Sequence, residues 1–287
     1  MTRNRCKRGV VPIFVVAVMA TIALGPGRDV AAAQPAPPTG HPTGILGAND
    51  HRVRVSSDQW PWSAIGRINV VAGTSQLGMC TGTLIAPRQV LTAAHCLFDT
   101  RTDDWVKPNT VHFVAGQTQD KFLGHSLVES FQTSPQFKFK LEDRPRYDFI
   151  APDMIRHDWA ILTLRDALNM KPIPIQAVGS AELSAATTGG ELALAGYAAD
   201  RPYMLSVHRG CSATIDPSDP GVVTHMCDSA PGESGAPLLL LHDGGAAVIG
   251  LHSANTQHFE SQVGYQALAG HGVSAAEFEA AAKSGQR

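Results

Sequence analysis

Leu91-Thr92-Ala93-Ala94-His95-Cys96 sets a histidine beside a cysteine directly after a short apolar run, and a second signature follows downstream as Gly232-Glu233-Ser234-Gly235-Ala236-Pro237. Between them, His157-Asp158-Trp159-Ala160-Ile161-Leu162 places an acid at the head of another apolar run. The chain thus offers an imidazole, a carboxylate and a hydroxyl in the order His, Asp, Ser. Working outward, the runs beside these motifs belong to a series of short β-rich stretches at 63–71, 82–85, 110–115, 159–164, 191–195, 222–225, 236–241, 246–251 and 262–266. Gly, Pro, Asn and Asp punctuate the gaps, a pattern that favours an all-β sandwich or barrel over alternating βαβ units. Roughly 240 residues after the N-terminal region can form one large unit or two packed barrels, and length alone does not choose.

The stretch 116–156 lacks sustained periodicity and mixes aromatic with basic residues, as in Gln136-Phe137-Lys138-Phe139-Lys140, so it reads as a long surface insertion; an edge strand with one apolar face is the alternative. Ser274-Ala-Ala-Glu277 is a capping-box pattern ahead of Phe278, Ala281 and Ala282. A short terminal helix that packs Phe278 inward is expected there.

Residues 1–33 read as a secretory signal: Arg3, Arg5, Lys7 and Arg8 precede an apolar run from Gly9 to Leu24, and Ala31-Ala32-Ala33 follow. The run falls short of the roughly 20 residues of a spanning helix. Residues 34–44, rich in proline, read as a pro-segment or linker, and a folded domain is expected over 45–287. Without the signal, 18 basic residues face 24 acidic ones, which disfavours nucleic acid as a partner. A monomer is expected, secreted or periplasmic, with no membrane contact once the signal is gone.

Cys6 leaves with the signal, so four cysteines remain: Cys80, Cys96, Cys211 and Cys227. An exported chain with an even count suits an oxidising compartment. Three pairings are possible. The pairing expected is Cys80 with Cys96 and Cys211 with Cys227, each closing a loop of about 16 residues and stabilising the fold by roughly 3 kcal/mol in the chain-entropy model. None of the four lies two to four residues from another, as zinc-binding pairs usually do, so neither a metal nor a cofactor is expected.

A serine hydroxyl needs a base within hydrogen-bond reach and a third group that orients the base. Ser234, His95 and Asp158 satisfy those requirements by type as nucleophile, base and orienting acid. Gly232 has a separate task, because the N–H groups of Gly232 and Ser234 can both point at a developing oxyanion only if no side chain hinders the turn.

With these residues in view, the chain resembles trypsin-like (chymotrypsin-fold) serine peptidases, and among them the bacterial glutamyl endopeptidases. Cys80-Thr-Gly-Thr-Leu-Ile-Ala-Pro-Arg-Gln-Val-Leu-Thr-Ala-Ala-His95-Cys96 is similar to the segment around the family's catalytic histidine, and Ile45-Leu-Gly-Ala-Asn-Asp-His-Arg52 to the mature start of the glutamyl subgroup. The resemblance implies two packed six-stranded antiparallel β-barrels with the site between them, His95 and Asp158 on the first and Ser234 on the second, the halves meeting near 170–185. It implies hydrolysis of protein or peptide substrates through an acyl-enzyme. Glu233 stands where the family usually has Asp, the residue that in trypsin pairs with the α-amino group freed from the zymogen.

Specificity reads two ways from the same resemblance. Asp228, six residues before Ser234, matches the acid that trypsin-like enzymes use to bind Arg or Lys. Ser229 and His252 match the hydroxyl and histidine with which glutamyl endopeptidases bind an acidic side chain. The match at Ile45–Arg52 and at Gly250-Leu251-His252 favours cleavage after Glu. An inactive peptidase-like binding protein is the rival from another class; an esterase of the α/β-hydrolase type is disfavoured by the residue order.

Overall fold

The computed structural model describes residues 44–72, 75–139, 150–260 and 264–285. The expected signal, all but the last residue of the proline-rich stretch, and Lys140 to Phe149 lie outside these residues. In chain order the strands are β1 (Val53–Val55), β2 (Ile65–Ala72), β3 (Ser75–Ala86), β4 (Gln89–Thr92), β5 (Phe98–Asp99), β6 (Asp104–Trp105), β7 (Val111–Ala115), β8 (Gly124–Thr133), β9 (Ala160–Leu164), β10 (Leu192–Tyr197), β11 (Leu205–Arg209), β12 (Ala213–Asp216), β13 (Asp219–His225), β14 (Pro237–His242), β15 (Gly245–Glu260) and β16 (Gly264–Ser274). Two α-helices join them, α1 (Ser180–Gly189) before β10 and α2 (Glu279–Ser284) at the end.

The fold is all-β, as the punctuated apolar runs predict. Strands β2-β3-β4-β9-β8-β7 close into a six-stranded antiparallel barrel. Alternation explains its interior: Val111, Phe113 and Ala115 of β7 and Ala160, Leu162 and Leu164 of β9 are fully buried, two residues apart along each strand. The second half carries eight strands in one antiparallel sheet, ordered β1-β11-β10-β14-β15-β16-β13-β12. Pairings that would close this sheet into a second barrel are not among those of the described residues.

Two local readings are corrected, and one element was not foreseen. Gly124–Thr133, part of the supposed insertion, is β8 of the closed barrel and pairs with both β7 and β9. Its apolar signal is faint, since Ser126 and Val128 alone are buried along the strand. The aromatic run that follows is neither surface insertion nor edge strand: Phe137 is buried against Trp105, and Phe139 stacks on Phe98 with ring centroids 5.0 Å apart. Helix α1 escapes the apolar pattern because it buries only Leu183 and Ala186; Gly190, at φ +68°, ends it in the left-handed region.

At the C-terminus Phe278 is fully buried and α2 follows it, as expected. Ser274 caps with its side chain, accepting from the Ala276 N–H, but Glu277 turns away to Arg156 instead of completing the box. Both disulfides form as expected, Cys80–Cys96 and Cys211–Cys227.

Candidate active site

His95 enters from the end of β4, on a single 3₁₀ turn, Ala94–Leu97, that the Cys80–Cys96 bridge ties back to β3. Asp158 ends another 3₁₀ turn, Pro152–His157, just ahead of β9. The ladder pairs Thr92 of β4 with Ala160 of β9, so the two turns leave the barrel side by side. The His95 N–H donates to Asp158 Oδ1 at 2.8 Å, and His95 Nδ1 lies 2.7 Å from Oδ2. The Ser253 hydroxyl donates to the same Oδ2. Three donors hold a fully buried carboxylate in one orientation. That orientation favours the imidazole tautomer with its proton on Nδ1, leaving Nε2 as an acceptor.

Ser234 sits in a tight turn between two glycines with positive φ, Gly232 at +99° and Gly235 at +80°. Both positions also exclude a side chain by contact. A Cβ on Gly235 would lie 2.4 Å from Thr81 O and 2.8 Å from Ala93 N, and one on Gly232 would lie 2.7 Å from Tyr197 O. The missing side chain at 235 lets the serine turn lie directly on the backbone that leads to His95. Thr81 N–H donates to Ser234 O at 2.9 Å, and Cys96 Sγ lies 3.8 Å from His95 Nε2 and 3.9 Å from Ser234 O. Histidine and serine therefore flank one sulfur atom. Among the described residues, neither the Gly232 N–H nor the Ser234 N–H has an acceptor within the fold.

Glu233 points the other way, into the protein. Its Oε2 accepts from Arg52 Nη1 at 3.1 Å and from the Ala230 N–H at 2.6 Å. Burial pushes its pKa up to about 7 against the pull of Arg52. The extra methylene relative to Asp has room because strand β10 passes beneath it at Gly196, where a Cβ would lie 2.9 Å from Glu233 Cγ.

Asp228 is buried, and its carboxylate is committed to the segment that precedes β1. Oδ1 accepts from the Leu46 N–H at 2.8 Å; Oδ2 accepts from the His51 N–H at 2.7 Å and lies 2.9 Å from His51 Nδ1. His208 stacks on His51, ring centroids 5.2 Å apart, and its Nδ1 accepts the Asp228 N–H at 2.7 Å. Ser229, also buried, exchanges hydrogen bonds with the Asn255 side chain at 3.0 to 3.2 Å. Buried His252 lies with Nδ1 3.0 Å from His225 Nε2. Burial, reinforced by the neighbouring His225 and His95, holds His252 well below the usual histidine range, so the free protein carries it neutral.

The structure thus brings His95, Asp158 and the Ser234 turn together, and sets Ser229, in the loop after β13, against Asn255 of β15, the strand that also carries His252. Arg52, Ser253, Asn255 and Thr81 are additional contributors that no linear pattern announced. Ser253 stands next to His252, and Arg52 and Thr81 lie inside the runs 45–52 and 80–96, yet their types alone gave none of them a role.

Comparison with known proteins agrees with this geometry. The family described as trypsin-like peptidase domain matches residues 80–251. Serine protease 23 of Bos taurus is 31% identical over 168 residues, spanning 55% of this chain and 42% of that protein, and the Homo sapiens protein of the same name matches at 31% over 169 residues with the same coverage. The chain therefore spans less than half the length of these relatives. Glutamyl endopeptidase of Bacillus licheniformis is 33% identical over 67 residues, 23% of this chain and 20% of that protein. A solved structure titled "Structure of Glu endopeptidase in complex with MPD" superposes with a TM-score of 0.57 at 19% identity, covering 84% of this chain and 98% of that one, a likeness of fold. With a His–Asp pair on the barrel beside a glycine-bounded serine turn, and a family match over more than half of its length, this chain is a member of the trypsin-like serine peptidases.

Proposed function

We propose that the chain is a secreted serine endopeptidase in which Ser234 is the nucleophile, His95 the general base and acid, and Asp158 the group that orients His95. The observation that carries the reading is the bond between His95 Nδ1 and Asp158, which leaves Nε2 as the acceptor, 3.8 Å from the Cys96 sulfur that also lies 3.9 Å from Ser234 O. His95 Nε2 takes the hydroxyl proton as Ser234 Oγ attacks the peptide carbonyl carbon. The oxyanion forms against the Gly232 and Ser234 N–H groups, donors typically worth about 3 kcal/mol each. Collapse breaks the C–N bond, and His95 returns the proton to the departing amine. Water then repeats the cycle on the acyl-enzyme ester. The domain at work is 45–287, its halves meeting in the connection that includes 170–185, and 1–33 serves export to the periplasm or medium.

Cleavage after Glu is the specificity the site supports best. A trypsin-like reading needs Asp228 to meet a substrate ammonium or guanidinium, yet its oxygens already receive three N–H groups from 46–51. Ser229, Asn255 and His252 instead supply neutral polar groups beside the site. A buried neutral imidazole binds a carboxylate by taking up a proton with it, so KM for a Glu substrate should rise as pH climbs above about 7 while KM for the matching Gln substrate stays flat.

Two measurements test the reading. A fluorophosphonate probe should label the processed wild type and leave Ser234→Ala unlabelled; no labelling of the wild type would favour a binding module over an enzyme. A peptide set varied only at the residue before the scissile bond should show Glu preferred, and strong Arg or Lys preference would remove the glutamyl assignment.

A further inference from the structure

The Glu233 carboxylate lies next to the nucleophile in sequence and faces a cation supplied from inside the chain. Arg52 is completely buried, and its guanidinium is shared among three carboxylates. Nε and Nη2 each donate to Asp50 at 3.0 Å, Nη1 and Nη2 donate to Asp200 at 3.3 and 2.9 Å, and Nη1 reaches Glu233 at 3.1 Å. Arg201 braces the cluster, donating to Asp50 at 2.6 Å and to the Arg52 carbonyl at 2.9 Å. A guanidinium out of water is tolerated only where its donors are met, and here all three arms find oxygens.

We propose that Arg52 is the positioning residue that holds the Gly232–Ser234 loop in its working shape, an internal cation standing where trypsin relies on a freed α-amino group. Glu233 is the mechanical link. This residue pins the loop from behind: its carboxylate accepts from the Ala230 N–H, while its own N–H donates to Ala230 O at 3.0 Å and its carbonyl accepts from the Ala236 N–H at 2.8 Å. The same carboxylate oxygen is anchored by Arg52, which two further carboxylates hold in place. Removing the cation leaves the buried group without a counter-charge, so it takes up a proton or draws in water, and either change slackens its hold on the turn. The two N–H groups that flank the serine move with that turn. The segment carrying Arg52 is itself fastened to the loop, through Leu46 and His51 on Asp228 and through Gly44 O, which accepts from the Ser229 N–H at 3.1 Å. Competence therefore rests on residues 44–52 being docked.

The inference relies on the oxyanion role proposed above for Gly232 and Ser234, and the test separates the two. With the processed protein, wild type and Ser234→Ala first establish the site by fluorophosphonate labelling; a wild type that neither labels nor hydrolyses peptides removes both proposals. Arg52→Gln should then lower kcat by about 100-fold, the scale of a lost oxyanion donor, with KM changed less than about threefold and the labelling rate falling in parallel. Glu233→Gln, nearly isosteric and leaving Arg52 its other two carboxylates, should lower kcat by about tenfold. The combination of Arg52→Gln with Glu233→Gln should exceed Arg52→Gln alone by about tenfold, because a neutral side chain at 233 needs no cation. Arg52→Gln or Glu233→Gln with kcat within about twofold of wild type, or a double variant no better than Arg52→Gln, would overturn the role of Arg52 while leaving the catalytic assignment intact. If Arg52→Gln does not fold, Glu233→Gln alone decides by the same criterion.

Discussion

Asp158 shows how much of the chemistry is a matter of orientation at a single residue. Its carboxylate accepts from the His95 backbone, the His95 ring and Ser253, and each bond closes off a rotation. Asp158→Asn keeps the volume but presents an amide that can donate to His95, which reverses the tautomer and should lower kcat by about 10⁴-fold with KM nearly unchanged, read from saturation kinetics on a peptide or ester substrate. Ser253→Ala removes one donor to a charged group and should cost about tenfold in kcat/KM. That His95, Asp158 and the Ser234 turn would come together was legible in the sequence because the acyl transfer proposed for them demands those residue types and local motifs frame them. Ser253 was not legible in this role: it meets Asp158 across a separation of 95 residues, and a serine after a histidine has no chemistry of its own to advertise.

Among the elements, the turn carrying Ser234 matters most, since it must touch backbone from the other half. At Gly235 an added methyl would meet Thr81 O, Thr92 Oγ1 and Ala93 N within 2.8 Å, at a φ of +80°. Gly235→Ala combines backbone strain with overpacking and should destabilise the protein by about 2 kcal/mol or more in chemical denaturation, with kcat falling as His95 and Ser234 are pushed apart. The Cys80–Cys96 bridge braces the same region from the barrel side. Replacing both cysteines with alanine should lower stability by about 3 kcal/mol. Strands that form nearly continuous apolar runs, such as β7 and β9, were legible in advance. Strand β8 was not, because a barrel strand whose outer face meets solvent can bury as little as Ser126 and Val128, and α1 was hidden for the same reason.

Across the whole molecule, buried ionisable groups set the response to acid. His225 is held down at about 3 and His252 well below the usual range, chiefly by burial. The unfolded chain binds these two protons near pH 6.5 and the folded chain does not, so their contribution is fully present above about pH 6.5 and is lost as pH falls, by roughly 1.4 kcal/mol per unit for each histidine. Glu233, raised to about 7 by burial, acts in the opposite sense: the folded chain keeps that proton, so stability is gained as pH falls from about 7 to its unfolded value of 4.5. Thermal denaturation against pH should accordingly decline gently from 6.5 to 4.5 and more steeply below; Glu233→Gln should steepen the upper part, and His225→Gln should flatten the whole descent. What the sequence determined by itself was the set of candidate reactive groups, their order and the all-β class, because functional chemistry and apolar runs both leave local marks; which of three possible pairings the four cysteines take was decided by the fold. Tertiary structure alone decided that Arg52 answers Glu233 across 181 residues and that Asp228 fastens His51 across 177. The counter-charge of a buried ion is whichever opposite group the packed chain brings within about 3 Å, and no linear spacing encodes that proximity.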